Sequence, residues 1–277
     1  MIRKAAAGLG RSLSDALFPP ACCVCGAFIQ KDTETGRQSA YKLARLSPEK
    51  AFRNIMKDCL CSFCIEDFTA VHAPSCTRCG EPFKSSADQG HLCGDCITRK
   101  KHFLFARACA VYEGSVLNLL HAYKYTGRTG LAKPLGILLY TAFIRHFSEM
   151  DIDTALAVPL HEKRLKSRGY NQSLLMILNW PQIAQKSGRH EDASITIDSR
   201  TLVRRKNTAT QTGLERSRRM KNIKNAFAVK CPERIKGRKV LVVDDVFTTG
   251  STVEECARVL DRAGAAGVYV LTLARAV

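Results

Sequence analysis

The chain has no apolar run approaching the ~18 to 20 residues a helix needs to cross a bilayer. Its opening, Met1-Ile2-Arg3-Lys4-Ala5-Ala6-Ala7-Gly8, lacks the apolar core of an export signal. Both absences point to a cytoplasmic protein without a membrane span. No G-x-x-x-x-G-K-[ST] occurs in the 277 residues, which excludes a P-loop nucleotide site. Acidic residues are also in short supply: 25 Asp and Glu stand against 43 Lys and Arg, a formal net charge of +18. Such an excess suits polyanionic partners, diphosphates or nucleic acid, and does not by itself choose between them. Core material is not lacking, since 45% hydrophobic residues over this length support one large or two modest domains.

Of 13 Cys, ten crowd between Cys22 and Cys96, and eight of these fall into Cys-x-x-Cys pairs. That spacing reads as metal binding in a reducing compartment rather than as a secreted disulfide scaffold. The pairs form an internal repeat. Pro20-Ala21-Cys22-Cys23-Val24-Cys25-Gly26 is echoed by Pro74-Ser75-Cys76-Thr77-Arg78-Cys79-Gly80, and Leu60-Cys61-Ser62-Phe63-Cys64 by Leu92-Cys93-Gly94-Asp95-Cys96. Two thiolates three positions apart grip one side of a tetrahedral Zn²⁺ and a second pair closes it, leaving no open position for catalysis. Pairing within each copy assigns Cys22, Cys25, Cys61 and Cys64 to one structural ion and Cys76, Cys79, Cys93 and Cys96 to another; a cross-braced arrangement joining Cys61 and Cys64 to Cys76 and Cys79 stays open. Cys23 and Cys59 are surplus, as bystander thiols or, for Cys59, a substitute ligand. A redox protein built on the Cys pairs is the rival reading. Residues 30–58 form an insertion in the first ribbon, polar at its start and helix-like through Ala40, Leu43, Ala44 and Leu46.

The other informative stretch is Lys239-Val240-Leu241-Val242-Val243-Asp244-Asp245-Val246-Phe247-Thr248-Thr249-Gly250-Ser251-Thr252. Four consecutive apolar residues read as a strand buried on both faces in a parallel sheet, ending on two carboxylates. The hydroxyl-rich turn then opens a helix with Val253, Cys256, Ala257, Leu260 and Ala263 on one face, closed by Gly264. Backbone N–H groups at such a turn, with the helix dipole and a glycine, make a phosphate cradle. Asp244 and Asp245 suit two vicinal ribose hydroxyls, directly or through a divalent metal.

Between these regions the pattern alternates. Strands are expected at Phe103–Tyr112, Asp153–Leu160, Ser194–Ile197, Thr201–Arg204, Asn225–Val229 and Gly267–Ala274. Helices are expected over Ser12–Phe18, Ser115–Tyr125, Gly130–Phe147 and from Asn171 until an interruption at Trp180-Pro181. Alternation of this kind implies a doubly wound parallel sheet. His161–Gln172 reads as a basic loop beyond a strand's carboxyl end, where open α/β sheets bind ligands, and Arg168-Gly169 there can hold diphosphate oxygens. Lys124 and Arg128 are further candidates for ligand contact. Arg204–Asn222 is strongly basic and weakly periodic, suited to a lid over an anion or to a nucleic-acid surface, although it lacks the interleaved aromatics of a base-stacking groove.

The strand, Asp244-Asp245 and Thr248–Thr252 together resemble the signature of the type I phosphoribosyltransferases. With the paired ribbons, Val158-Pro159-Leu160, Arg168-Gly169-Tyr170-Asn171-Gln172, and Gln211 with Arg218 and Asn222, nearly the whole chain resembles the ComF family. The resemblance implies an N-terminal double zinc ribbon, residues 1–98, followed by a phosphoribosyltransferase-type domain, residues 99–277. It also implies 5-phosphoribosyl diphosphate with Mg²⁺ as ligand: Asp244 and Asp245 at the ribose, Thr248, Thr249, Gly250, Ser251 and Thr252 at the 5-phosphate, Arg168 and Gly169 at the diphosphate. For several members it implies a part in natural transformation, with single-stranded DNA or DNA-uptake proteins as partners. Purine-salvage transferases carry an acidic residue acting on the base where this chain has Thr248, so the resemblance narrows to the amidophosphoribosyltransferase or orotate type.

Overall fold

A computed structural model of the chain describes residues 19–29, 38–83, 90–186, 195–208 and 222–277. The expected helix Ser12–Phe18, the start of the insertion and most of Arg204–Asn222, with Gln211 and Arg218, lie outside them. Among the described residues, no helix is long and apolar enough to cross a membrane.

The organising element is a five-stranded, wholly parallel sheet. Its strands are β1 (Phe105–Val111), β2 (Thr154–Ala157), β3 (Thr196–Asp198), β6 (Lys239–Phe247) and β7 (Gly267–Arg275), ordered β1-β7-β6-β2-β3. Alternate side chains of a strand face opposite ways, and here both directions are buried. Leu241, Val243, Ala155 and Leu271 enter one core, while Val240, Val242, Leu156 and Val270 enter the other. The helices Gly114–Tyr125, Ala132–Phe147 and Gln172–Ile177 cover the first face; Ser251–Arg262, with Val253, Cys256, Ala257 and Leu260 inward, covers the second. This is the expected doubly wound architecture.

Two strands leave it. β4 (Leu202–Arg204) and β5 (Phe227–Val229) pair with each other, antiparallel, outside the main sheet. They are only three residues each, so they complete a ribbon at the foot of the basic segment rather than adding to the parallel ladder. The basic loop His161–Gln172 also differs from expectation, because Glu162–Arg168 is helical. His161 caps its start by accepting from the Lys163 N–H, and Gly169, at φ +83°, ends it. Glu162, Lys163, Arg164, Leu165, Lys166 and Arg168 are all good helix formers, and they outweigh the turn signal.

The repeat read in the Cys pairs is visible as structure. Each first half is a knuckle in which Gly26 or Gly80 adopts positive φ and donates its N–H to the carbonyl of Cys22 or Cys76. Each second half is a short helix, Ser62–Glu66 or Gly94–Thr98, with Cys61 or Cys93 as N-cap. A side chain at Gly80 would put its Cβ 2.7 Å from the Ala106 carbonyl, so glycine is what lets the second knuckle seat on β1.

The insertion is a brace. Its helices Ala40–Ala44 and Pro48–Met56 bury Leu43, Phe52 and Met56, and Phe52 stacks on Phe68 at 3.9 Å. Arg145, from helix Ala132–Phe147, donates to the carbonyls of Ala44 (3.3 Å) and Leu46 (2.8 Å), satisfying acceptors the short helix leaves open. The first ribbon, the insertion and the sheet share one core, and the second ribbon joins the core on the opposite face.

Candidate functional site

Segments following β2 and β6 depart to opposite faces of the sheet, and these two strands are neighbours. Their carboxyl ends therefore flank a crevice at the topological switch point, the usual ligand position in open α/β sheets. The β2–β6 ladder stops at Ala157 opposite Val243, with a last bond from the Val158 N–H to the Val243 carbonyl. The sequence suggested that β6 ends on the carboxylates. It continues instead to Phe247, paired on its other edge with β7. Asp244 and Asp245 thus stand on a strand held from one side and open on the other, beside a cleft of about 410 Å³.

Both carboxylates are buried and engaged. Asp244 Oδ1 accepts from Ser173 Oγ at 3.1 Å and from the Asp245 N–H at 2.9 Å. Asp245 Oδ2 accepts from Gln172 Nε2 at 2.8 Å and lies 2.9 Å from Lys124 Nζ. Burial, then the neighbouring Asp245 charge, pushes the Asp244 carboxyl up to about 7. Burial works against the Lys124 charge, but Asp245 and Asp244 outweigh it and hold the ammonium above its ordinary value.

The supporting shell is local in origin. Asn171 caps helix Gln172–Ile177, accepting from the Ser173 and Leu174 N–H groups while its own amide donates to the Val158 carbonyl. That cap aims Gln172 and Ser173 at the aspartates. Gln172 also accepts from Arg168 Nη1 at 2.7 Å, and the Arg168 guanidinium lies over the Tyr125 ring. Arg164 and Arg204 line the same cleft and converge on Thr208, which accepts Arg164 through its carbonyl and Arg204 through its hydroxyl. Burial, then Arg164 alongside, holds Arg204 below the usual guanidinium range, and among the described residues its Nε has no hydrogen-bond partner.

The hydroxyl-rich turn borders two cavities. Thr248 and Thr252 line the aspartate cleft; Thr248, with Thr249, Gly250 and Ser251, also lines a cavity of about 500 Å³ beneath the second cysteine ribbon. Gly250 precedes helix Ser251–Arg262 at φ +72°, and a Cβ there would lie 2.5 Å from the Phe247 ring. Gly250→Ala is therefore expected to cost about 2 kcal/mol from the left-handed backbone alone, plus displacement of Phe247. Denaturant unfolding reads this, and an unchanged midpoint would contradict it.

Of the expected site residues, Asp244, Asp245, Thr248, Thr252 and Arg168 share the cleft. Gly169 is not among its lining residues; its N–H is spent on the Leu165 carbonyl in the helix cap. Arg128 turns away to the Cys23 carbonyl at 3.1 Å. Ser173 was not singled out as ligand-facing, since nothing distinguishes it from an ordinary helix-start Ser, and Arg204 entered only as the first residue of the basic segment suited to a lid over an anion. The eight repeat cysteines assemble as two groups, Cys22, Cys25, Cys61, Cys64 and Cys76, Cys79, Cys93, Cys96, each with its sulfurs within 4.8 Å of one another. That is pairing within each copy. Four thiols at such spacing, with the N–H groups of Val24, Cys79 and Cys93 directed at Cys22 or Cys76 sulfur, fit a thiophilic metal ion.

Comparison with known proteins agrees. The family model described as "Phosphoribosyl transferase domain" matches residues 182–276. DNA utilization protein YhgH of Escherichia coli (strain K12) is 34% identical over 220 residues, 78% of this chain and 90% of its own length. Competence protein F of Haemophilus influenzae is 30% identical over 228 residues, 80% of this chain and 93% of its own. A solved glutamine phosphoribosylpyrophosphate amidotransferase from B. subtilis is 15% identical, covers 56% of this chain and 27% of its own, and has a TM-score of 0.31, too low to bear on the site. With two four-cysteine groups ahead of a phosphoribosyltransferase-type sheet and relatives matched over most of their length, the chain belongs to the ComF family, which includes competence protein F and DNA utilization protein YhgH.

Proposed function

We propose that the cleft binds 5-phosphoribosyl diphosphate with Mg²⁺, in a protein whose setting is the handling of incoming DNA. The observation that carries this reading is the buried Asp244–Asp245 pair at the switch point, with a hydroxyl-rich turn and helix N-terminus on one side and Arg164, Arg168 and Arg204 on the other. Carboxylates accept from ribose hydroxyls, the turn's N–H and hydroxyl groups suit the 5-phosphate, and the guanidiniums suit the diphosphate. Gly169 contributes by ending the helix that presents Arg168. Mg²⁺, held on the diphosphate and these carboxylates, would neutralise the leaving group's charge. Zinc fills both four-cysteine groups in this account, and its role is structural because neither group keeps an open position. Residues 1–98 then form the metal module and 99–277 the transferase-type part.

A ligand that binds only the folded protein stabilises it, by about 2.7 kcal/mol at a hundredfold excess over Kd. Phosphoribosyl diphosphate with Mg²⁺ is thus expected to raise the melting temperature in a saturable way, and no rise at any concentration would count against the reading. Diphosphate release measured across amine and nucleobase acceptors separates a transferase from a binding protein.

A second reading, a nucleic-acid-associated factor whose transferase site is a sensor or scaffold, draws on the +18 charge and on exposed Arg99 and Lys100 beside the second ribbon. It predicts affinity for single-stranded DNA that falls steeply with salt. Absence of binding at low salt would refute direct contact.

A further inference from the structure

Two thiols that belong to neither four-cysteine group meet each other. The Cys23 N–H donates to the Cys59 carbonyl at 2.9 Å, and the two thiol side chains adjoin. Both residues are half-buried, within reach of a small oxidant. Arg128 completes the arrangement, donating to the Cys23 carbonyl at 3.1 Å. By contrast, Cys109 and Cys256 are buried. The proximity is built by the fold, because the first knuckle and the chain entering Cys61 are brought together by the metal site between them.

We propose that Cys23 and Cys59 are a redox-modification site, a dithiol that small hydroperoxides oxidise to a disulfide while both four-cysteine groups stay intact. The Cys23 sulfur attacks one peroxide oxygen and the O–O bond breaks. The departing oxygen leaves as hydroxide and, with the thiol proton, becomes water, leaving a sulfenic acid on Cys23. The Cys59 sulfur then displaces that hydroxyl, which departs with the second thiol proton as water. Two thiols lose two electrons and two protons, and one peroxide becomes two waters. Thiolates within the metal groups have their lone pairs engaged by the ion and react more slowly.

The test uses the full-length, metal-loaded protein treated with stoichiometric hydrogen peroxide, alkylated and digested without reductant, with metal release followed by a chelating dye. The expected product lacks two alkylatable thiols, cross-links the peptide carrying Cys22, Cys23 and Cys25 to the one carrying Cys59, Cys61 and Cys64, and retains both ions. Dithiothreitol reverses it. Cys23→Ser and Cys59→Ser should each lose the cross-link and still hold two ions per chain. A cross-link that persists in either variant, or that forms only as metal is released, would overturn the proposal. So would peroxide that oxidises the half-buried Cys231 and leaves this pair untouched.

Discussion

Asp244→Asn is expected to abolish ligand binding in the cleft while raising stability at alkaline pH, whereas Asp245→Asn is expected to lower both binding and stability. The two carboxylates are adjacent in sequence but unlike in surroundings. Asp244 is held by Ser173 and the Asp245 N–H, neither of them charged, and burial with the neighbouring Asp245 charge pushes its carboxyl up to about 7. Asparagine resembles its protonated form and keeps an acceptor for both donors. Asp245 faces the Lys124 ammonium at 2.9 Å, with side-chain exposures of 9% and 15%. Removing one partner of a buried ion pair leaves a charge uncompensated and costs about 3 kcal/mol.

A pH signature follows. An Asp carboxyl whose folded-state value is raised from 3.8 to about 7 binds its proton more tightly in the folded than in the unfolded chain. Its contribution to stability is therefore present below about pH 4 and is lost as pH climbs to 7. Denaturant unfolding at several pH values should show this decline in the native protein and a flatter profile in Asp244→Asn. Equal destabilisation by the two variants, or full affinity in Asp244→Asn, would contradict the assignment.

Loss of metal from the second four-cysteine group should disable the cleft as well as the ribbon. Cys76, Cys79 and Cys96 are buried in the same core as Phe103, Phe247 and Val253. From the end of β7, Arg275 donates to the Cys79 carbonyl at 2.7 Å, pairs with Glu81, and lies over the Phe247 ring at 4.7 Å. Phe247 in turn is the residue against which Gly250 is seated. A structural zinc ion supplies apparent binding free energy of about 10 to 16 kcal/mol in isolated fingers, so its loss outweighs what so small a ribbon buries. Cys76→Ser is expected to hold one ion, melt earlier and bind phosphoribosyl diphosphate at least tenfold more weakly, a loss of about 1.4 kcal/mol. Cys25→Ser, at an exposed position of the first group, should also lose an ion but affect the cleft less. Full ligand affinity in Cys76→Ser would show that the ribbon does not set the turn.

Much of this was legible because each signal had a short range. The apolar run Val240–Val243 marks a strand covered on both faces, and Cys-x-x-Cys spacing marks a metal site whatever surrounds it. The Gly26 and Gly80 knuckles repeat because each needs the same positive φ. Pairing within each copy was preferred but not fixed by spacing, and the folded chain groups the thiols that way. What stayed hidden depends on distant partners. Lys124 could not be told from an exposed helix-end charge until Asp245 stood opposite it. Ser173 became a carboxylate donor only through the Asn171 cap, and the insertion became a brace only through Arg145. The strand was expected to stop at the carboxylates because such residues usually end one; pairing with β7 carries it on to Phe247.

Calorimetric titration of the metal-loaded protein with phosphoribosyl diphosphate and Mg²⁺, alongside Asp244→Asn, tests the central claim most directly. The account predicts saturable binding at one site per chain that vanishes in the variant while the variant's fold and metal content are retained. No heat beyond dilution in the native protein, or the same isotherm from both, would contradict it.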